Sequence, residues 1–144
     1  MSEPEYTAPD LALVGESHIK AYRETDGAVG YLWNGVPTLL LTTTGRKSGE
    51  PRTSALIFGR DGADYLVIAS MGGAPQHPLW YTNLLADPHA EIQVKAEHLS
   101  VVARTASEEE KPRLWKIMTD LWPNYDVYQT RTERPIPVVV LTPA

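Results

Sequence analysis

Short apolar runs separated by turn residues dominate the chain and predict a protein built mainly of strands. Residues 37–44, 52–58 and 65–70 predict three consecutive strands, the last two joined as a hairpin about residues 59–62, where Asp-Gly supplies the turn chemistry. Because the first of these strands carries three successive leucines at 39–41, it leaves no polar face for solvent. The three strands in order imply an antiparallel meander.

Further along the chain, apolar and polar residues alternate over 90–96 and 98–105, which predicts two antiparallel strands with one solvated face each. A short strand at 31–35 and a final strand at 136–141 complete the set. Six or seven mostly antiparallel strands with helices between them predict an α+β, mainly β fold, a small β-barrel flanked by helices.

Helical patterns occupy the segments between these strands. Residues 12–23 predict a short helix, and Leu79, Trp80, Leu84 and Leu85 recur at helical spacing until Asp87-Pro88 ends the segment. Ser107 and Glu110 match a capping box for a helix that reaches about residue 121, with Pro112 allowing a later start, and 123–130 predict a second short helix.

At 144 residues the chain fits one domain, predicted at 12–144 behind a flexible tail at 1–11. It has no cysteine, which excludes thiol nucleophiles and disulfides and favours a cytoplasmic protein. No apolar run approaches the roughly 18 residues of a membrane span. A net charge of −5 disfavours nucleic acid as a partner, and the spacing of the four histidines predicts no metal site.

One turn contrasts with this acidic balance. Residues 45–60 contain Arg46, Lys47, Arg52 and Arg60 against Glu50 alone, a local charge of +3. Glycines at both ends of the turn permit positive φ and close backbone approach, so amides and cationic side chains can converge on a phosphate. The turn therefore predicts an anion site, with a plain hairpin turn carrying solvated charges as the alternative.

Two further constellations follow in the sequence. The turn at 69–74, with Ser70 and two glycines, allows backbone amides to approach a flat ring, and the Ser70 hydroxyl could stabilise an oxygen that gains negative charge. Trp80 could cover a cofactor and Asn83 could bond its polar edge. The alternatives are a strand-end turn for the first group and core and capping roles for the second.

Trp122, Tyr125 and Tyr128 step by three and share one helical face. Such a stripe is usually core, and the alternative is a movable wall over a planar substrate. The sequence offers no nucleophile elbow, metal site or defensible acid/base pair. Chemistry in such a protein points to a borrowed cofactor that the protein positions.

Four motifs in register carry a resemblance to a known family. They are Leu-Leu-Thr-Thr-Thr-Gly-Arg-Lys-Ser-Gly-x-Pro-Arg, Ala-Ser-x-Gly-Gly-Ala, His-Pro-Leu-Trp-Tyr-x-Asn-Leu, and a tail with Tyr125, Tyr128 and Arg-x-Ile-Pro-Val-Val. Over roughly residues 35–142 the chain resembles the deazaflavin-dependent nitroreductase family of actinobacteria. These are small split β-barrel oxidoreductases that use coenzyme F-420.

The resemblance implies that Arg46, Lys47 and Arg52 hold the phosphate and glutamate tail of coenzyme F-420. It implies that the residues around the ring are Ser54, Ala55, Leu56, Ala69, Ser70, Met71, Gly72, Gly73, Trp80 and Asn83. Ser70, Tyr125 and Tyr128 correspond to catalytic residues, and the substrate pocket corresponds to Ile57, Trp122, Tyr125 and Tyr128.

The chain departs from the family pattern at three of these positions. Trp122 and Ile57 stand where nitroimidazole-reducing relatives have tyrosines, so nitroimidazole reduction is in doubt, and Met71 replaces a lysine common in relatives.

The function expected on this basis is hydride transfer from the reduced deazaflavin to an electron-poor acceptor such as a quinone, an activated enone or a nitro compound. The alternatives are an FMN-dependent oxidoreductase of the same fold and a non-catalytic protein that binds coenzyme F-420 or an apolar ligand. Both a monomer and a homodimer are compatible with the sequence. Some relatives lie at a membrane surface, but residues 1–35 carry six acidic against two basic residues, which argues against anionic lipid.

Overall fold

The computed structural model describes residues 15–144, so the predicted tail at 1–11 and the predicted helix start at 12 lie outside the described residues. The helices are α1 (Gly15–Thr25), α2 (Leu79–Ala86), α3 (Lys111–Leu121) and α4 (Asn124–Thr130). The strands are β1 (Leu32–Trp33), β2 (Val36–Thr44), β3 (Pro51–Ile57), β4 (Gly59–Asp61), β5 (Asp64–Ile68), β6 (His89–Val94), β7 (Glu97–Thr105) and β8 (Val138–Pro143). Within residues 15–144, every helix is too short or too polar to cross a bilayer.

The strands form one antiparallel sheet in the order β1-β2-β6-β7-β8-β5-β4, with β3 on the other side of β2. The predicted hairpin between 52–58 and 65–70 is wrong, because β5 pairs with β4 and β8 and not with β3. The predicted pairing of the first two strands does form, with Thr38 opposite Ile57 and Thr44 opposite Pro51. The Asp-Gly turn is real, but it joins β5 to the three-residue β4. The chain changes partner at the buried Phe58, so the predicted meander does not form.

This change of partner curls the sheet. Because β3 and β4 lie near opposite ends of the strand order yet are joined through Phe58 alone, the two ends of the sheet must approach each other. The Phe58 N–H donates to the Pro37 carbonyl at 3.1 Å and holds the junction against the start of β2. The result is the predicted small split barrel with flanking helices.

The strands β5 and β8 are buried on both faces, as their continuous apolar sequences indicate. Val67 and Val139 point into the barrel with the buried leucines of β2, whereas Leu66 and Val140 belong to a second cluster with the apolar side of α3. The helix α3 therefore covers the outside of these two strands.

The start of α3 lies later than the capping box alone predicts. Ser107 and Glu110 do form the reciprocal pair, with the Ser107 N–H donating to the Glu110 carboxylate at 2.8 Å and the Glu110 N–H donating to the Ser107 hydroxyl at 3.3 Å. They close a turn, and the helix begins at Lys111 with Pro112 in its first turn, where a missing N–H costs nothing.

Candidate functional site

Two adjoining cavities open beside β3 and α2. The basic cavity has a volume of about 500 Å³ and is lined by Gly45, Arg46, Lys47, Ser48, Arg52, Thr53, Ser54, Leu79, Trp80 and Asn83. The aromatic cavity has a volume of about 540 Å³, and its walls include Trp33, Leu56, Ile57, Ser70, Trp122, Tyr125 and Tyr128. Thr53, Ser54 and Trp80 line both, so the two cavities form one continuous site with different chemistry at its two ends.

The basic turn connects β2 to β3 and is closed by its own backbone. The Gly45 N–H donates to the Glu50 carbonyl and the Gly49 N–H to the Gly45 carbonyl, both at 2.8 Å. Gly49 has a φ of 72°, the left-handed conformation that the glycine spacing predicted. The turn is therefore a compact loop that presents its side chains outward.

The cations on this turn are available to a ligand. Arg46 and Lys47 form no ion pair with any other residue of the 15–144 segment, and Arg52 has only a loose, exposed contact of 3.8 Å with Glu50. Exposed ion pairs of this kind contribute little energy and do not prevent binding of a stronger anion. The structure thus brings together the three residues predicted to hold an anionic tail.

Asn83 anchors the basic turn to α2. This buried side chain accepts a hydrogen bond from the Arg46 N–H at 3.1 Å through Oδ1 and donates to the Thr43 hydroxyl at 3.1 Å through Nδ2. It lines the basic cavity and not the aromatic one. Its contacts within the protein are those of a residue that positions the turn.

The glycine turn after β5 has an unusual backbone. Met71, Gly72 and Gly73 have φ angles of 47°, 64° and 85°, so three successive residues lie in the left-handed region. Ser70 precedes them with an ordinary right-handed conformation, at a φ of −83° and a ψ of −40°. A right-handed residue followed by a left-handed one turns successive N–H groups toward a common concave side, the arrangement that binds anions and oxygens.

The polar groups of this turn that line the aromatic cavity are free to bind a ligand. The Ser70 side chain is 8% exposed, and its hydroxyl has no hydrogen-bond partner in the described part of the chain. The N–H groups of Met71 and Gly72 likewise have no acceptor there, whereas the next two N–H groups close the turn onto the Ser70 and Met71 carbonyls. Ser70 therefore stands beside donors that can act with it on one oxygen.

Another wall of the aromatic cavity is formed by aromatic side chains. Trp122 packs against Trp33 with ring centroids 5.3 Å apart, and Tyr125 meets Tyr128 edge to face at 6.1 Å. The Trp122 indole N–H donates to the Tyr128 hydroxyl oxygen at 3.4 Å, which leaves the Tyr128 proton for another acceptor. Burial, with a smaller contribution from Tyr128, raises the pKa of Tyr125 far above its usual range, so Tyr125 stays protonated.

Most of the residues predicted for the site line one cavity or both. Ala69 and Gly73 line neither: Ala69 belongs to the barrel core, and a Cβ on Gly73 would lie 2.5 Å from the Tyr128 carbonyl oxygen. The absence of a side chain at Gly73 lets the glycine turn pass close to α4.

The residues of one wall of the aromatic cavity were not predicted from the sequence. The first turns of α1 contribute Gly15, Glu16, His18 and Ile19, and five other lining residues were also absent from the prediction: Trp33, Thr38, Thr53, Ile68 and Pro78. The helix is held there by Arg23, which donates to the Thr53 hydroxyl at 2.8 Å, and by His18, whose Nε2 lies 2.7 Å from the Gly30 carbonyl oxygen. The weak apolar pattern of α1 gave no signal for this placement.

These donor sets fit a long ligand with an anionic end and a flat end. Guanidinium and ammonium groups suit phosphate and carboxylate oxygens, while tryptophan faces and aliphatic side chains suit a planar ring whose edge meets the Ser70 turn. By contrast, the histidines and carboxylates of residues 15–144 form no cluster able to hold a metal ion.

Comparison with known proteins places this geometry in a family. Residues 15–143 match the family model described as F-420H(2)-dependent quinone reductase. A F-420H(2)-dependent quinone reductase of Mycobacterium tuberculosis is 46% identical over 129 residues, which cover 87% of each protein. The matched family and this relative are named for quinone reduction, not for nitro reduction.

Solved structures agree with this match. An F-420H2-dependent reductase is 40% identical with a TM-score of 0.68, and the alignment covers 73% of this chain and 93% of that one. A structure described as a domain-swapped dimer is 35% identical with a TM-score of 0.71, over 85% of this chain and 96% of that one. With the family model matched over almost the whole described chain, the protein belongs to the F-420H(2)-dependent quinone reductase family.

Proposed function

We propose that this protein reduces quinones with the reduced form of coenzyme F-420. The observation that carries the proposal is the continuous site in which a basic cavity and an aromatic cavity meet at Trp80, with the Ser70 hydroxyl lining the aromatic cavity and free of any hydrogen-bond partner within residues 15–144. Family membership supports coenzyme F-420 as the cofactor. When bound, the reduced deazaflavin supplies a hydride, which is chemistry that no side chain of the site can supply.

The basic cavity would bind the tail of the cofactor. Arg46 and Lys47 lie on the turn and Arg52 lies at the start of β3, so their side chains can contact an anionic tail from two elements. Because these side chains are exposed, their attraction acts through water and depends on salt. The cavity thus supplies affinity without demanding one exact geometry.

The aromatic cavity would hold the ring and the acceptor together. Trp80 and the segment from Ser54 to Leu56 line the region next to the basic cavity, so we assign them to the ring. The walls formed by Trp33, Trp122 and Ile57 then enclose a flat, apolar acceptor and exclude water from it.

Hydroxyl groups would stabilise the charge that develops on the acceptor. Gain of a hydride leaves negative charge on a quinone oxygen, and the Ser70 hydroxyl and the free N–H groups of the same turn can donate hydrogen bonds to it. Tyr128 can donate its proton because Trp122 occupies its oxygen, and Tyr125 stays protonated through burial. Glu16 at the cavity wall adds a negative charge, which favours a neutral quinone over an anionic acceptor.

The test is a spectral titration of the purified protein with oxidised F-420, followed by turnover assays with reduced F-420 and a panel of quinone, enone and nitro acceptors. We expect saturable binding and fastest turnover with quinones. In a parallel titration, binding of FMN in preference to F-420 would identify a flavin enzyme. Binding of F-420 without turnover of any acceptor would identify a carrier. Either of these two outcomes would contradict the proposal.

Oligomeric state belongs to the same proposal, because one structural relative is described as a domain-swapped dimer. Sizing the protein by gel filtration, with and without F-420, distinguishes a monomer from a homodimer.

A further inference from the structure

The strongest polar cluster outside the residues assigned above surrounds Arg134, in the segment between α4 and β8. Its guanidinium donates to three backbone carbonyls: through Nε to Ala74 at 2.8 Å, through Nη1 to Ala69 at 3.2 Å and through Nη2 to Ser70 at 2.8 Å. Nη1 also lies 3.1 Å from His77 Nδ1. One half-buried side chain therefore holds both ends of the glycine turn.

The turn needs such a restraint. A left-handed conformation costs a residue with a side chain, such as Met71, about 1 to 2 kcal/mol. Against this cost, the backbone hydrogen bonds of the turn within residues 15–144 are those donated by the Gly73 and Ala74 N–H groups. The carbonyls that Arg134 contacts flank these residues on both sides, so the side chain fixes the span that the turn must bridge. The acceptors are neutral, and Arg134 forms no ion pair with an acidic residue of the described segment.

The backbone around Arg134 is in turn attached to α4, the helix that carries Tyr125 and Tyr128. Gln129, in α4, donates through Nε2 to the Arg134 carbonyl at 2.8 Å and accepts from the Ile136 N–H at 2.9 Å through Oε1. The turn itself packs against α4 where Gly73 approaches the Tyr128 carbonyl. The segment 134–136 therefore contacts both the turn that carries Ser70 and the helix that carries the two tyrosines.

We propose that Arg134 is a positioning residue for the proposed quinone reduction: its guanidinium holds the left-handed turn and so sets the Ser70 hydroxyl relative to Tyr125 and Tyr128. This inference rests on the proposed function for its catalytic consequence, but its structural part does not require a cofactor. Arg134 is not a catalytic residue, because it is absent from the lining of the aromatic cavity.

The geometry of its donors suits arginine to these four contacts. A guanidinium presents donors in a planar fork that can reach acceptors on several sides, whereas an ammonium group is a point donor at the end of a flexible chain. Arg134→Lys keeps the charge and loses the fork. The matched control is Arg113→Lys, which makes the same exchange at an arginine paired with Asp61 at 2.9 Å, in the contact between α3 and β4.

The first measurement uses the cofactor-free protein. The N–H groups of Gly73 and Ala74 are hydrogen-bonded within the turn, so hydrogen exchange reports directly on its closure. We expect Arg134→Lys to accelerate exchange at these two amides roughly tenfold or more, with no change in β6 or β7 and none at the turn in Arg113→Lys. Unchanged exchange at residues 73 and 74 would overturn the proposal.

The second measurement asks whether Arg134 acts through Ser70. A displacement of about 1 Å can cost on the order of 100-fold in rate, so we expect Arg134→Lys to lower kcat by roughly 10- to 100-fold with little change in the KM for the quinone. In a Ser70→Ala background the same change should have almost no further effect, because coupled groups are not additive. Full additivity of the two losses would contradict a positioning role.

Two controls keep the outcomes distinguishable. If Arg134→Lys does not fold, His77→Leu removes only one of the four acceptors, and we expect it to produce a smaller acceleration of exchange at the same amides. If the wild-type protein does not oxidise reduced F-420, the proposed function fails while the exchange experiment still decides whether Arg134 holds the turn.

Discussion

The two cavities are built in different ways. The basic cavity takes its cations from one short stretch of chain, and they are exposed and able to adjust to a ligand. The aromatic cavity is assembled from α1, β1, β3, the glycine turn, α2 and α4, with Ser70, Trp122 and Tyr125 all buried. Affinity for an anionic ligand can therefore come from charges close together in the sequence. Reactivity depends on side-chain positions that the whole fold fixes.

The largest effect is expected at the reactive end of the site. Ser70→Ala removes a donor to the oxygen that gains charge, and loss of one such donor typically lowers kcat by about 100- to 1,000-fold. Affinity for F-420, measured by fluorescence titration, should change little. Ser100→Ala, on an exposed position of β7, is the control. A fall in affinity as large as the fall in kcat would place Ser70 with the binding residues instead.

The next effect concerns the charged end. The double variant Lys47→Ala/Arg52→Ala removes two exposed cations, each worth about 1 kcal/mol, so we expect roughly 30-fold weaker F-420 binding at low salt. The difference should shrink at high salt because exposed charges are screened. Arg60→Ala serves as the control, since Arg60 stacks on the Tyr65 ring at 4.0 Å. If F-420 affinity falls equally at both salt concentrations, binding in the basic cavity does not depend on exposed charge.

A smaller effect is expected at Asn83, which positions the basic turn and carries no charge. Asn83→Ala leaves the Arg46 N–H and the Thr43 hydroxyl without their partner, at a cost of about 1 to 3 kcal/mol in the free energy of unfolding. We expect F-420 affinity to fall severalfold, and to fall equally at low and high salt. The control is the neighbouring Thr82→Ala, whose hydroxyl, among the residues that the structure describes, bonds only to the Leu79 carbonyl within α2. Salt-dependent loss would show that Asn83 acts through charge instead.

The smallest effect is a dependence of stability on pH. Burial, and then the charge of Arg134, lower the pKa of His77, so the fold favours its neutral form. The stabilisation is complete above the ordinary histidine pKa of about 6.5 and is lost as pH falls below it toward the lowered pKa. Arg134 and Tyr81 are the titratable side chains that contact this ring.

His77→Asn keeps an acceptor for Arg134 and removes the titration. We therefore expect Tm to fall less in this variant than in the wild type when the pH is lowered from 7.5 to 5.5, a range that spans the ordinary histidine pKa. His98→Asn, on an exposed position of β7, should behave like the wild type. Identical pH profiles for His77→Asn and the wild type would mean that protonation of His77 does not disturb the glycine turn.

The sequence by itself determined the features that depend on neighbouring residues. Gly45 and Gly49 bracket a charged turn, Ser107 and Glu110 form a capping pair, and the tyrosines of α4 share a face, because each of these depends on spacings of a few residues. These local signals were sufficient to predict the basic turn and the third helix, and to predict that the aromatic residues of 122–128 lie on one side. The matched register of several such motifs also indicated the family.

Only the tertiary structure decided which distant segments meet. Local turn chemistry at Asp61-Gly62 predicts a hairpin but not that its first strand has three residues while β3 pairs with β2. Backbone carbonyls have no sequence signature, so nothing near Arg134 predicts bonds to acceptors in residues 69–77. Strand pairing and such clamps depend on how the sheet closes, and closure is a property of the whole chain.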